Sequence, residues 1–377
     1  MKIHITSLRE KSTGLKNNYK KARDPYIDNA RFTLIVLVVF GHLVSPMKGE
    51  SEAIYLVNNL LASFRMPALI MLTGMFAKSF YKEGYIEKIT TKLFVPYLLF
   101  QVFYLFLNHY LTNYSFSSFD WFKPFMGMWF LLSVYYWNLL LFVFTRLKQP
   151  ILIAVFLGVA VGYMDSGFES YNLMRTFVFF PFFLLGFYLN KELLTTFKKP
   201  SFKLISIGLF LLIIAVMKIT GLEVSRGLLL GKQAYETIGL GIIEGSLLRI
   251  LFYIIMVFGI AVFLPWISSS ERWYTNYGSK TAYIYLFHFV LIKFLQIMGI
   301  YVDASPLLVV VAPVIALVVS VLLASRPVIL VTKPLVEGTI VKIIKEKGSH
   351  VIKNGAATLK TKILRNSSEI TYLVFKK

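Results

Sequence analysis

The chain has 377 residues, of which 57% are apolar and only 16% are charged, whereas soluble proteins average about 45–50% apolar and about 25% charged residues. This excess, with a mean hydropathy of +0.67, argues against an ordinary globular enzyme and favours a multi-spanning membrane protein. The net charge of +21 is typical of basic cytoplasmic loops and tails, so we expect no nucleic-acid partner. Cysteine is absent, which excludes disulfides, thiolate metal sites and a cysteine nucleophile.

The apolar runs predict an all-α fold with about ten transmembrane helices, each near the ~20 residues that a bilayer core requires. We expect a membrane domain at 31–332 between a basic N-terminal tail at 1–30, which has no apolar segment typical of a cleaved signal peptide, and a basic C-terminal tail at 333–377. In chain order, the predicted spans are residues 31–46, 54–77, 93–112, 126–145, 150–164, 174–190, 203–219, 246–265, 280–299 and 307–331.

Lys and Arg are distributed unevenly between the two sides of these spans. The tail up to Arg31 holds eight of them, the loops on the same side hold twelve and the opposite loops hold six. Because basic residues concentrate on the cytoplasmic side, we expect both termini in the cytoplasm of a multi-pass plasma-membrane protein. The long outer loop near 220–245 is interpreted as an interfacial or a re-entrant segment.

Three polar residues form a stripe on the first predicted helix. Eleven residues separate Arg31 from His42, which is three helical turns plus about 20° and about 16 Å along the axis. Asp28 lies about 40° from the same face, and its spacing to Arg31 suits a helical ion pair. One interpretation is a packing stripe. The other makes His42 a general base or nucleophile at membrane depth, served by Arg31 and Asp28.

Other polar side chains within or beside the spans have a structural and a functional interpretation. Arg65 either pairs with Glu50 or Glu52 or binds an anionic group, and Pro67 after it predicts a break or kink in the helix.

Lys88 and Lys92 either anchor the span at the cytoplasmic side or bind phosphates as point charges. Trp129 is either an interfacial belt residue or a stacking platform. The remaining candidates are the intramembrane Arg175 and His288, and Glu236 as an acid at the acceptor site.

Six groups of residues form a series of motifs along the chain. They are Tyr26–Arg31 with Val38–His42, Phe64 with Met66, Pro67 and Gly74, Lys88 and Lys92 with Pro96 and Tyr97, Trp129–Leu131, Pro181–Gly186, and Tyr285–His288. In this order they resemble the acyltransferase-3 family of integral-membrane acyltransferases, in its fucose 4-O-acetylase-like branch. The resemblance covers about residues 24–332. Two departures are Arg65, where many relatives have histidine, and the lysines at 88 and 92, where arginine is common.

The resemblance implies transfer of an acyl group, usually acetyl from cytoplasmic acetyl-CoA, to a hydroxyl of a cell-envelope sugar or polysaccharide. His42 would then deprotonate the acceptor or carry the acyl group, Arg31 would orient the donor, and Asp28 would hold Arg31. The donor site is expected to include Lys88, Lys92, Arg65, Trp129 and Arg175, with His288 and Glu236 on the acceptor side. The chain would act alone or with a separate extracytoplasmic transferase.

Two further hypotheses remain, one that needs the same polar cavity and one that needs no cavity. A transporter or flippase of glycolipid or polysaccharide precursors would move its substrate without depending on CoA. A scaffold or sensor would use the intramembrane histidines only for packing. The sequence contains no phosphate-binding glycine loop, dinucleotide-binding motif, zinc-protease motif or nucleophile elbow, and no cluster with metal-ligand spacing, so we predict no metal.

Overall fold

The computed structural model describes residues 23–47, 52–121, 123–164, 172–219, 226–299 and 306–340. Within these ranges the regular elements are all helices, as the composition predicts, and no strand occurs. Most of both predicted tails, at 1–22 and 341–377, lies outside the described residues. The helices are α1 (Pro25–Val44), α2 (Glu52–Gly74), α3 (Tyr85–Ile89), α4 (Val95–Thr112), α5 (Trp129–Phe144), α6 (Pro150–Ala160), α7 (Leu173–Tyr188), α8 (Lys191–Thr196), α9 (Pro200–Ile219), α10 (Arg226–Leu229), α11 (Ile242–Phe263), α12 (Thr281–Ile297), α13 (Pro306–Leu323) and α14 (Arg326–Val336).

In the described part of the chain, five helical stretches are long and apolar enough to cross a membrane. They contain α1, α2, α3 with α4, α9, and α11, and the pair α13–α14, bent by 71°, would make a sixth. Three shorter apolar helical segments, which contain α5, α6 and α7, lie between them. The structure therefore has five to six candidate membrane spans by length and composition.

The first helix begins at Pro25, six residues before the predicted start of the span at Arg31. Asp24 caps it, since its carboxylate accepts a hydrogen bond from the backbone N–H of Tyr26 at 3.0 Å, and proline is favoured at the first helical position. Asp28 consequently lies inside the helix that carries Arg31 and His42. The polar stripe predicted from the spacing thus lies on one continuous helix.

Two other boundaries differ from the sequence prediction. The last predicted span, 307–331, ends as α13 at Leu323, and α14 begins at Arg326 after Ser325 and with a proline in its first turn. Of the break or kink predicted at Pro67, the break is absent, because α2 continues through this residue to Gly74. A proline is tolerated inside a membrane helix where the neighbouring structure compensates for the lost backbone hydrogen bond.

The centre of the bundle is formed by α1, α2 and α7. At the crossing of α2 and α7, a Cβ built on Gly186 would lie 1.7 Å from the carbonyl oxygen of Met71, and one built on Gly74 would lie 2.1 Å from that of Phe183. The two glycines therefore allow the helix backbones to touch, as small residues do in membrane proteins. By contrast, only 17% of the apolar stretch of α9 is buried, so α9 lies at the periphery.

The described part of the long loop near 220–245 packs against the bundle. Tyr235 is buried, its backbone N–H donates to the carbonyl of Gly162 at 2.8 Å, and its hydroxyl donates to Val159 at 2.9 Å. Arg249 of α11, also buried, donates to the carbonyl of Leu228. The loop is thereby held over the ends of α6 and α11, beside the cavity described next.

Candidate functional site

A cavity of about 450 Å³ lies where the C-terminal ends of α1 and α12 meet the N-terminal ends of α5 and α7. This volume is within the range of small-molecule sites in proteins. Exposed residues at its mouth are Pro46, Lys232 and Gln296, whereas Arg65 and Phe179 in its wall are buried. The cavity therefore runs from one end of the bundle into its interior.

His42 lines this cavity and is half-buried. Its ring centroid lies 5.4 Å from that of His288 and 4.6 Å from that of Phe289. His288 is fully buried, and its Nδ1 lies 2.7 Å from the carbonyl oxygen of Tyr285, which can only accept, so Nδ1 carries the proton. His288 Nε2 has no hydrogen-bond partner among the described residues. His42 is thus the histidine that a ligand in the cavity can reach.

Arg65 brings a guanidinium group next to the backbone that carries His42. It donates to the carbonyl of Leu37 at 3.3 Å, and a Cβ built on Gly41 would lie 1.2 Å from its Nη1. Only a glycine at position 41 leaves room for this guanidinium against α1. The predicted alternative partner Glu52 is exposed and forms no ion pair with Arg65, and Glu50 lies outside the described residues.

Two further arginines are held in place by uncharged groups. The guanidinium of Arg175 lies 4.8 Å from the ring centroid of Trp129, a cation–π contact. Arg226 donates to the side-chain oxygen of Asn59. Burial lowers the pKa of Arg226, and the nearby Tyr55 opposes that shift. With Lys232 and Lys293, these residues bring the cationic side chains in the cavity wall to five.

The structure brings together four of the residues predicted from sequence, His42, Arg65, Trp129 and Arg175, in the wall of one cavity. His288 lies directly behind His42. Glu236 is exposed in the loop near 220–245 and does not line the cavity. Of the predicted donor-binding residues, Arg65, Trp129 and Arg175 therefore line the cavity. The other two, Lys88 and Lys92, lie outside it.

Asp28 and Arg31 lie near the opposite end of α1. Their side chains are 3.9 Å apart as an ion pair, and Arg31 also donates to the Thr281 hydroxyl at 3.0 Å and lies 5.1 Å from the ring centroid of Phe76. Thr281 begins α12 and Phe76 follows α2, so this cluster marks the end of the bundle away from the cavity mouth.

Lys88 and Lys92 are exposed and do not line the cavity. They belong to the first two turns of a continuous helical stretch of 28 residues, Tyr85–Thr112. Lys92 is 20 residues before the end of this stretch, which corresponds to about 30 Å along a helix. A Cβ built on Gly338 would lie 1.9 Å from the carbonyl oxygen of Thr91, and the adjacent Glu337 accepts a hydrogen bond from Tyr283 near the start of α12. Both lysines therefore lie toward the end of the bundle that carries Arg31, and their role in phosphate binding stays a prediction.

Sequence reasoning missed three contributors to the cavity. Arg226 and Lys232 entered only the count of loop charges, and Lys293 was not singled out although it lies within the predicted span 280–299. A charged residue inside an apolar span is itself a signal of function, and this criterion would have found Lys293. In the described ranges no group of three or more His, Cys, Asp or Glu side chains could hold a metal ion.

Fold and cavity together define a helical protein with candidate membrane spans and a histidine in a cationic pocket. The chain belongs to the acyltransferase-3 family: the family model, described as an acyltransferase domain, matches residues 24–325. Neither curated proteins nor solved structures give a significant match. The family assignment indicates an acyltransferase and confirms this part of the resemblance seen in the sequence.

Proposed function

We propose that the protein is a membrane-bound O-acyltransferase, and specifically an O-acetyltransferase, that uses cytoplasmic acyl-CoA and acylates a hydroxyl of a cell-envelope sugar or polysaccharide. The observation that carries the proposal is His42, accessible in a cationic cavity of a chain that belongs to an acyltransferase family. The resemblance to the fucose 4-O-acetylase-like branch supports a sugar hydroxyl as the acceptor.

The proposed topology has ten spans, with both termini in the cytoplasm of a plasma-membrane protein. The helices alternate in direction under this topology if the short apolar helices α5, α6 and α7 and the helices α12 and α13 each cross once. The greater basic charge of the loops on the side of the N-terminal tail supports the orientation. The cavity then opens to the outer face, and the Asp28–Arg31 pair lies at the cytoplasmic face.

His42 serves as the general base in the proposed reaction. It accepts the proton of the acceptor hydroxyl while the hydroxyl oxygen bonds to the thioester carbonyl carbon. The carbon–sulfur bond then breaks, and the CoA thiolate leaves and takes the proton from the histidine. An imidazole suits both transfers because its pKa in water is near neutrality. The neighbouring Arg65 would stabilise the negative charge that develops on the carbonyl oxygen.

The donor is proposed to enter from the end of the bundle opposite the cavity mouth. Exposed Lys88 and Lys92 offer positive charge there for the CoA phosphates, and Arg31, fixed by Asp28 and Thr281, lies on the same helix as His42. The distance of about 16 Å along α1 separates the donor-orienting group from the base. An extended thioester arm would bridge this distance.

The proposal is tested in membrane vesicles with labelled acetyl-CoA and an extract of envelope glycans as the acceptor. We expect His42→Ala to lower acetyl transfer by at least about 100-fold, the usual contribution of general acid–base catalysis. His109→Ala is the matched control, because His109 lies in the last turn of α4 and contacts the Tyr114 carbonyl. The control should retain the wild-type rate.

Wild-type rates in the His42→Ala variant would contradict the mechanism. Movement of labelled glycolipid across the vesicle membrane without added acetyl-CoA, together with no acetylated product, would instead favour the transporter hypothesis. Parallel measurement of acetylation and glycolipid movement in the same vesicles therefore separates the two functions.

A further inference from the structure

Five cationic side chains converge on the cavity without any carboxylate to neutralise them. Arg65, Arg175, Arg226, Lys232 and Lys293 line it, and no acidic residue is present in its described wall. None of the five forms an ion pair with another described residue. Placing like charges together in a partly desolvated site is unfavourable, so an anionic ligand would relieve a cost already built into the fold.

The three arginines are oriented by neutral partners that leave their charge uncompensated. Arg65 contacts a backbone carbonyl, Arg175 stacks on an indole ring and Arg226 contacts an amide oxygen. Arg65 is also buried, and its Nε has no partner among the described residues. Guanidinium groups fixed in this way keep free N–H edges that match carboxylate and phosphate oxygens.

We propose that the acceptor of this protein is an anionic glycan or glycolipid, whose carboxylate or phosphate binds these five cations and presents a neighbouring hydroxyl to His42. This inference rests on the proposed function and names the chemical class of its acceptor. Arg65 lies deepest, beside Gly41, while Lys232 at the mouth is exposed to solvent. The positive charge therefore extends along the path that an acceptor would follow from the mouth to the base.

The phosphates of the donor are the competing source of negative charge. Under the proposed topology the cytoplasmic donor approaches from the end that carries Arg31, Lys88 and Lys92, whereas the cavity mouth is at the other end. The proposal thus gives the cavity lysines Lys232 and Lys293 the acceptor as ligand, and Lys88 and Lys92 the donor. Kinetic constants for the two substrates can distinguish these roles. Loss of a cavity lysine should change the Michaelis constant for the acceptor and not that for acetyl-CoA.

The test uses the full-length protein in vesicles, labelled acetyl-CoA and two acceptor pairs, methyl glucuronoside with methyl glucoside and glucose 1-phosphate with glucose. We expect the wild type to prefer the anionic member of at least one pair, and Lys293→Gln to lower that preference about tenfold through a higher acceptor KM. Lys293→Arg should restore it. Lys218→Gln, an exposed lysine of α9 outside the cavity, is the charge-matched control.

Each outcome has one meaning. A wild-type enzyme that acetylates neutral and anionic acceptors equally, or a Lys293→Gln variant with unchanged preference, would overturn the inference while leaving acyl transfer intact. A higher KM for acetyl-CoA in Lys293→Gln would assign the cations to the donor and also overturn it. Failure of the proposed function is distinct, since it would appear as no acetyl transfer to any acceptor, envelope extract included.

Discussion

At the level of single residues, the guanidinium of Arg65 lies directly against Gly41. The guanidinium occupies the space that any side chain at position 41 would need, and the next residue along α1 is His42. A buried arginine without a carboxylate partner is costly. The proposed mechanism gives this guanidinium a role, the stabilisation of negative charge beside His42.

Gly41→Ala should therefore damage activity more than stability. The new methyl group displaces the flexible end of Arg65 and not a backbone atom, so we expect acetyl transfer to fall by about 100- to 1,000-fold, typical for loss of one oxyanion-stabilising donor. The free energy of unfolding should change by no more than about 1 kcal/mol. Gly208→Ala on α9 is the control, because nothing lies within 4 Å of its added Cβ. A fully active Gly41→Ala variant would contradict the proposed role of Arg65.

At the level of helices, the crossing of α2 and α7 positions two walls of the cavity. Arg65 lies on α2 and Arg175 on α7, so the separation of these helices sets the separation of the two guanidinium groups. Gly74 and Gly186 make the close crossing possible from both sides. The glycines thus determine the width of the site at a distance from it.

Gly186→Ala should destabilise the whole bundle, in contrast to Gly41→Ala. Its methyl group would meet the backbone carbonyl of Met71, which cannot move independently of α2. We expect a loss of about 1–3 kcal/mol or more, as for other overpacked sites, visible as a lower melting temperature of the detergent-solubilised protein. An unchanged melting temperature would show that the two helices can separate at little cost.

The position of the loop between α10 and α11 depends on Arg249, which links the two helices through its hydrogen bond to Leu228. Because its buried Nε and Nη2 have no partner in the described chain, replacing it by Leu removes an uncompensated charge while freeing the loop. We expect faster proteolysis between Arg226 and Gly239 in Arg249→Leu, with no decrease in melting temperature. Equal cleavage of variant and wild type would show that Tyr235 alone holds the loop.

For the whole molecule, the two clusters of charged side chains beside α1 lie at its opposite ends. The Asp28–Arg31 cluster is at one end, and the five-cation cavity is at the other. Under the proposed orientation they face opposite sides of the membrane. His42 would then be reached by the donor from one side and by the acceptor from the other.

The absence of native cysteine allows this orientation to be measured directly. Lys232→Cys should react with a membrane-impermeant maleimide in intact cells, because it is an exposed outer-loop position. Lys88→Cys should react only after permeabilisation. The wild-type chain, which offers no thiol, is the blank for both. The reverse labelling pattern would invert the topology and move the cavity to the cytoplasmic face.

Three properties can be read from the sequence alone: the all-helical class, the polar stripe on α1 and the family resemblance. These properties are local, since hydropathy, helical periodicity and motif order can be read along the chain. His42, Arg65, Trp129 and Arg175 were also recognised, because charged and aromatic side chains in apolar spans are conspicuous. Their functional roles remain predictions.

Which of these residues share one cavity follows from the packing of the helices. Arg226, Lys232 and Lys293 line the same cavity as His42, whereas Lys88 and Lys92 lie outside it. No pattern along the chain contains this information, because helix crossings determine which faces meet, and the closest crossings depend on contacts such as Gly186 with Met71. The same packing places Arg65 against Gly41. The sequence alone predicts Glu50 or Glu52 as the alternative partners of this arginine.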